Sequence, residues 1–229
     1  MAKLAVRPHD AAGLIVVRPG ARGLEVLLGK RHPKSRFMPS VYVFPGGRVS
    51  AVDRRASGFD EDFAAPPEGL DQATRRAHRT LARTAIRETF EETGMVIGAP
   101  AEDRSAPPEG GGEPVWRAYR TAGVRPPFGG LRLVARAITP SYSPIRFHTR
   151  FFRLDCGLAT TAAAGDGELV DVHWAPIDRL AELPMSSVTH LVLEEALAHS
   201  PGRPAARFAW ASAGDRPLFR RAPLPDSKS

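Results

Sequence analysis

The chain has 229 residues, 42% of them hydrophobic and 25% charged, which is enough apolar material for a sizeable core and argues against a disordered or membrane-embedded chain. A single cysteine, Cys156, excludes an intramolecular disulfide and a cysteine-built zinc cage. The formal charge is +7, and because only Lys3, Lys30, Lys34 and Lys228 are lysine, 28 of the 32 cations are arginine. That excess reads either as attraction to an anionic partner or as coding bias, and only the location of particular arginines separates the two.

Residues 12–17 and 24–28 are apolar and β-branched, with Pro19, Gly20 and Gly23 between them, and read as a β-hairpin. A basic stretch follows, then a short strand over 41–44 that Pro45-Gly46-Gly47 cuts off. Residues 50–71 hold Gly58, Pro66, Pro67 and Gly69 and read as a surface excursion with little regular structure beyond short helical pieces. From 72 to 93 the chain lacks Gly and Pro, which predicts a long helix, with Asp71 or Thr74 as its N-cap and Gly94 as its stop.

Residues 98–114 are rich in Pro and Gly and read as a loop, with a short helix over 113–121. Strands are expected over 131–138, 145–156 and 169–174, a helical turn over 177–183 and a second clear helix over 186–199. The tail from 201 adds a strand around 207–211 and ends in disordered residues. Strands, a long helix, more strands and a second helix give an α/β (α+β) chain with a mixed sheet between helices. The longest early apolar run, 11–17, is too short to span a membrane and lacks the layout of a signal peptide, so the expected location is cytoplasmic.

The sharpest motif is Arg87-Glu88-Thr89-Phe90-Glu91-Glu92-Thr93-Gly94-Met95. At about 100° per residue, Glu91 and Glu92 fall roughly −60° and +40° from Glu88, so three carboxylates crowd one helix face. Like charges at that spacing repel. Arg87 can neutralise them as the i,i+4 partner of Glu91, and so can a hard divalent cation such as Mg²⁺ or Mn²⁺. A plainly solvated acidic face is the alternative.

With Phe44-Pro45-Gly46-Gly47 upstream, these residues resemble the Nudix hydrolase family. Its box reads Gly, five residues, Glu, seven residues, then Arg-Glu-U-x-Glu-Glu-x-Gly-U, where U is apolar. Arg87, Glu88, Glu91, Glu92, Gly94 and Met95 match the second half, and Thr89 stands where U is usual. From Gly47 to Arg87 is 40 residues against 14 in a compact box, an insertion of 26. Counted back from Arg87, the early acid falls on Arg79 and is missing. This interrupted box is similar to a subgroup that includes coenzyme A diphosphatases, as is the segment Arg146-Phe147-His148-Thr149-Arg150-Phe151-Phe152, although His148 replaces an expected Asp.

The resemblance implies a Nudix-like α/β/α sandwich over 1–200, with the insertion at about 50–72 and a C-terminal extension over 201–229. It implies hydrolysis of a diphosphate in a nucleotide-type metabolite, with coenzyme A or acyl-CoA as a named option. Mg²⁺ (Mn²⁺ as substitute) would sit on Glu88, Glu91 and Glu92, with the Gly46 carbonyl as a further ligand, and Arg87 would hold the cluster in place. Glu91 and Glu168 are the two candidates for the general base, Glu168 being equally readable as a plain turn residue. Arg36, Arg48, Arg146 and Arg150 are the candidate substrate-binding cations, each balanced against an ordinary solvated charge. The expected partner is a small-molecule diphosphate, with no membrane or nucleic-acid role. The oligomeric state is open, a homodimer included. The competing function is a Nudix-like module that senses a nucleotide or binds nucleic acid without hydrolysis.

Overall fold

The computed structural model describes residues 6–55, 72–100, 114–156, 158–161, 163–199, 205–213 and 216–222. A mixed sheet dominates it. Strands β1 (His9–Gly20) and β2 (Gly23–Arg31) form the expected hairpin, with β3 (Tyr42–Val43) paired to β2 and β4 (Gly46–Arg48) to β1. Later strands are β5 (Met95–Pro100), β6 (Val124–Arg125), β7 (Arg132–Ile138), β8 (Phe147–Asp155), β9 (Leu158–Thr161), β10 (Leu169–Pro176), β11 (Ala206–Ala213) and β12 (Arg216–Ala222). The main order is β10-β2-β1-β8-β7-β11-β12, with β1–β8 and β7–β11 parallel and the other pairs antiparallel. A small second sheet runs β6-β5-β9.

Strand β1 is buried on both faces, which explains its unbroken apolar run. Its side chains alternate. Ala12, Leu14 and Val16 enter a core with Leu81, Ala82, Ala85, Ile86 and Phe90 of helix α2 (Gln72–Thr93) and Trp116 and Tyr119 of α3 (Pro114–Ala122). Ile15 and Val17 enter a second core with Val192, Leu193 and Ala196 of α4 (Ser187–Leu197). The result is helix, sheet, helix, and α2 lies across β1 and β4.

Several elements differ from the sequence reading. Residues 51–55 form a short helix, α1 (Ala51–Arg55), where little regular structure was expected, and the rest of the excursion, 56–71, lies outside the described residues. Ser50 starts α1, and Asp53 reaches back to the Ser50 N–H at 2.8 Å, a capping-box arrangement. Strand β5 follows Gly94 at once and runs to Pro100, into the expected loop; residues 101–113 lie outside the described residues. Strands β9 and β12 were not foreseen, and β8 begins at Phe147 rather than 145. Beyond residue 201, β11 pairs with β7 and β12 with β11, so the tail adds two strands to the main sheet; the expected disordered end, 223–229, lies outside the described residues. Among the described residues no helix is long and apolar enough to cross a membrane.

Candidate functional site

The C-terminal half of α2 carries the acidic cluster, and a backbone turn covers it. Gly94, at φ +69°, donates its N–H to the Phe90 carbonyl at 2.7 Å and ends the helix as a left-handed C-cap. A Cβ there would strike the Ala163 carbonyl, so only glycine lets the 163–168 segment close against the helix end. The Asp166 N–H then donates to the Glu91 carbonyl at 2.8 Å. Thr89, buried where an apolar residue is usual, satisfies its hydroxyl on the Ala85 carbonyl at 2.7 Å.

The Pro-Gly-Gly turn meets this helix from β4. The Gly46 N–H donates to Glu92 Oε2 at 2.8 Å, and a Cβ on Gly47 would run into the Glu88 carboxylate. The turn must therefore be bare of side chains for the two surfaces to approach.

Arg87 organises the cluster. Its guanidinium is 6% exposed and donates to Asp53 Oδ1 (2.8 Å) and Oδ2 (2.9 Å), Glu88 Oε1 (2.7 Å), Glu91 Oε2 (2.5 Å) and the Arg48 carbonyl (3.1 Å). Burial opposes the charge on Arg87, but the bonds to Asp53 and the fields of Glu88, Asp53 and Glu91 more than offset it and raise its pKa. Asp53 is 1% exposed and also accepts from the N–H and hydroxyl of Ser50. Burial alone would raise its pKa; the bonds from Arg87 and Ser50 win, and it is lowered.

Asp53 corrects the sequence reading. The early acid is not missing. Counted forward from Gly47, five residues (48–52) precede residue 53, the box's acidic position, and the insertion lies between Asp53 and Arg87. Counting back from Arg87 crossed the insertion and lost the register. The Ser50-x-x-Asp53 capping box was the sequence signal that could have found it.

The glutamates differ in setting. Glu92 is 3% exposed, whereas the Glu91 side chain is 38% exposed and lies toward solvent. Burial, only partly offset by Arg87, pushes the Glu88 carboxyl up to about 7. Burial also holds Glu92 well above the usual carboxylate range; the Gly46 N–H opposes this, Glu88 and Glu168 reinforce it, and Arg31 opposes it. Glu168 therefore stands close enough to act on Glu92, in the loop whose carbonyl accepts the His32 N–H at 3.1 Å.

The donor chemistry suits a hard divalent cation: oxygen ligands, several negative charges, and two carboxyls reluctant to ionise alone. Hydrogen bonds engage one oxygen on each of Glu88, Glu91 and Glu92. Among the described residues, no group of three or more His, Cys, Asp or Glu side chains is already arranged to hold a metal.

The candidate substrate cations diverge. Arg36 and Arg48 are exposed, and Arg48 lies 3.1 Å from His9 Nδ1. Arg146 donates to the carbonyls of Thr139 (3.1 Å) and Val6 (2.6 Å). Arg150 pairs with Asp10 and donates to the His148 carbonyl at 2.9 Å. Trp116 packs in the core, and Trp174 lies under the Arg18 guanidinium at 4.1 Å. Cys156 is half-buried, and burial raises its thiol pKa.

No protein-family model matches the chain. A Nudix hydrolase structure from Alicyclobacillus acidocaldarius superposes with a TM-score of 0.58 at 28% identity, covering 85% of this chain and 93% of that one. Among curated proteins, the acyl-coenzyme A diphosphatase NUDT19 of Xenopus laevis is 34% identical over 98 residues, covering 33% of this chain and 26% of that protein. Its human counterpart is 34% identical over 107 residues, covering 36% and 28%. The chain is similar to a Nudix hydrolase across its fold and, over about a third of its length, to these diphosphatases in sequence. The match to these curated relatives spans only about a quarter of their length. The Nudix-like box of this chain is split across α1 and α2, and Arg87 bonded to Asp53 joins the two parts.

Proposed function

We propose that the protein is a Mg²⁺-dependent hydrolase that cleaves the diphosphate of a nucleotide-type metabolite, with coenzyme A or an acyl-CoA as the first substrate to test. The observation that carries this reading is the cluster of Glu88, Glu91 and Glu92 under the Gly46-Gly47 turn, pinned by one buried arginine. Two of these carboxyls resist ionisation in the metal-free protein, so the site is short of positive charge. The coenzyme A option draws on the names of the curated relatives.

Glu88, Glu91 and Glu92 would hold the ion, with the Gly46 carbonyl as a further ligand. Bound Mg²⁺ would supply charge neutralisation for the diphosphate and acidify a water molecule; Mn²⁺ would substitute. Arg87 spends its donors on protein oxygens, so its part is to fix the glutamates, not to touch substrate. Glu91, the more exposed carboxylate, and Glu168, on the neighbouring loop, are the two candidates to accept the proton from the attacking water. The water oxygen forms a bond to phosphorus, the bridging oxygen leaves with its electron pair, and two phosphorylated products result. The same reading places the enzyme in the cytoplasm with a small-molecule partner.

The test is product release from coenzyme A, acyl-CoA and a panel of other diphosphate metabolites, with Mg²⁺, with Mn²⁺ and after chelation. Two phosphorylated products, formed only with a divalent ion, are expected. Activity that survives full chelation sinks the proposal.

A further inference from the structure

Of the four cations that sequence position put forward as substrate contacts, two are committed to the fold: Arg150 to Asp10 and the His148 carbonyl, and Arg146 to two backbone carbonyls. Arg31 is placed differently. It is the last residue of β2, and its backbone is fixed on both edges. Its N–H donates to the Val41 carbonyl at 2.9 Å, and its carbonyl accepts from the Ser40 N–H at 3.1 Å. Across the other edge it faces Leu169 of β10, and the next residue, His32, bonds the Glu168 carbonyl. The root of this side chain is thus held between the segment that leads into the Pro-Gly-Gly turn and the loop that carries Glu168.

The side chain is half-buried, and its Nε is sealed from water without a hydrogen-bond partner. A buried donor left unmatched is unfavourable, so such a group calls for an acceptor. Among the described residues three other arginines share an unmatched buried Nε, but Arg150 pairs with Asp10, and Arg83 and Arg136 have interactions elsewhere. The charge of Arg31, by contrast, acts at Glu92, inside the acidic cluster.

We propose that Arg31 binds a non-bridging oxygen of the substrate's diphosphate, supplying the cationic contact that Arg87, locked onto protein oxygens, cannot. This rests on the diphosphatase reading. A guanidinium suits the role because its planar fork matches phosphate oxygens two at a time.

The experiment measures binding of imidodiphosphate, a diphosphate mimic that resists hydrolysis, at saturating Mg²⁺ by calorimetry. Wild type is compared with Arg31→Gln, Arg31→Lys and, as a control in the exposed β1–β2 turn, Arg22→Gln, with thermal melting of each as a folding check. Arg31→Gln should weaken binding about 10- to 100-fold, Arg31→Lys less, and Arg22→Gln no more than about twofold. Arg31→Lys keeps the charge, so it carries the test if the glutamine variant melts early. Imidodiphosphate affinity unchanged in both Arg31 variants, or no binding to wild type, overturns the proposal. So does a change confined to Mg²⁺ affinity without diphosphate, which would make Arg31 only a counter-charge for Glu92. Wild type that binds the mimic but hydrolyses no diphosphate fails the functional reading and leaves Arg31 standing. Wild type that hydrolyses, with KM unmoved by Arg31→Gln, fails Arg31 alone.

Discussion

Replacing Asp53 isolates the join between the two parts of the split box. Its carboxylate is 1% exposed and accepts two bonds from Arg87 and two from Ser50. Removing one partner of a buried ion pair costs about 3–5 kcal/mol when the other charge is stranded. Arg87 is not fully stranded, because Glu88, Glu91 and the Arg48 carbonyl remain. The lower end is therefore expected: about 3 kcal/mol for Asp53→Ala and about 2 kcal/mol for Asp53→Asn, which keeps the shape and loses the charge. In a chain this long each kcal/mol moves Tm by about 2–4 °C, so Asp53→Ala should melt roughly 6–12 °C early. Circular dichroism melts at neutral pH, with chelator present, read this directly. Arg79→Glu, which restores the acid in the backward count, should rescue nothing when added to Asp53→Ala. An Asp53→Asn protein that melts within about a degree of wild type, or a rescue by Arg79→Glu, refutes the reasoning.

Three further predictions follow from the same geometry. Burial raises Glu88 to about 7 when folded against an ordinary 4.5, so the metal-free folded state holds the extra proton. Stability from this group is therefore full below about pH 4.5 and is lost as pH rises through 7, by at most about 3 kcal/mol. Glu88→Gln should flatten that slope in Tm against pH under chelation; a slope unchanged by the substitution counts against the shift. Saturating Mg²⁺ should raise Tm, by about 2.7 kcal/mol of stability at 100 times the dissociation constant, and lose most of this effect in Glu92→Gln. Gly47→Ala meets only the carboxylate end of the Glu88 side chain, so it should fold yet bind Mg²⁺ more weakly, whereas Gly46→Ala meets the Ala12 backbone and should cost about 1–3 kcal/mol of stability. Equal melts for the two glycine variants would contradict this contrast.

The sandwich and the acidic face were legible because both rest on periodicity. Strand β1 reads as a continuous apolar run since both its faces are buried, and α2 reads from its length without Gly or Pro and from the spacing of its glutamates. Asp53 was lost because register was carried backward across 26 inserted residues, while the capping box that marks it is a short-range signal. Strand β9, Leu-Ala-Thr-Thr, has little hydrophobic pattern and exists by pairing with β5. Arg31, Arg146 and Arg150 are alike in sequence. Only tertiary contact shows that Arg146 and Arg150 are held by protein oxygens, whereas Arg31, whose Nε like that of Arg150 is buried without an acceptor, lies where its charge acts at Glu92.

The central claim is that the glutamates under the turn perform metal-dependent diphosphate hydrolysis. Its most direct measurement is the rate of release of two phosphorylated products from coenzyme A, at saturating Mg²⁺, by wild type and by folded Glu91→Gln and Glu92→Gln proteins. The account predicts clear wild-type turnover and losses on the order of 10²-fold or more in both variants, with melting temperatures under chelation that show each still folds. Variant rates within a few-fold of wild type would contradict it.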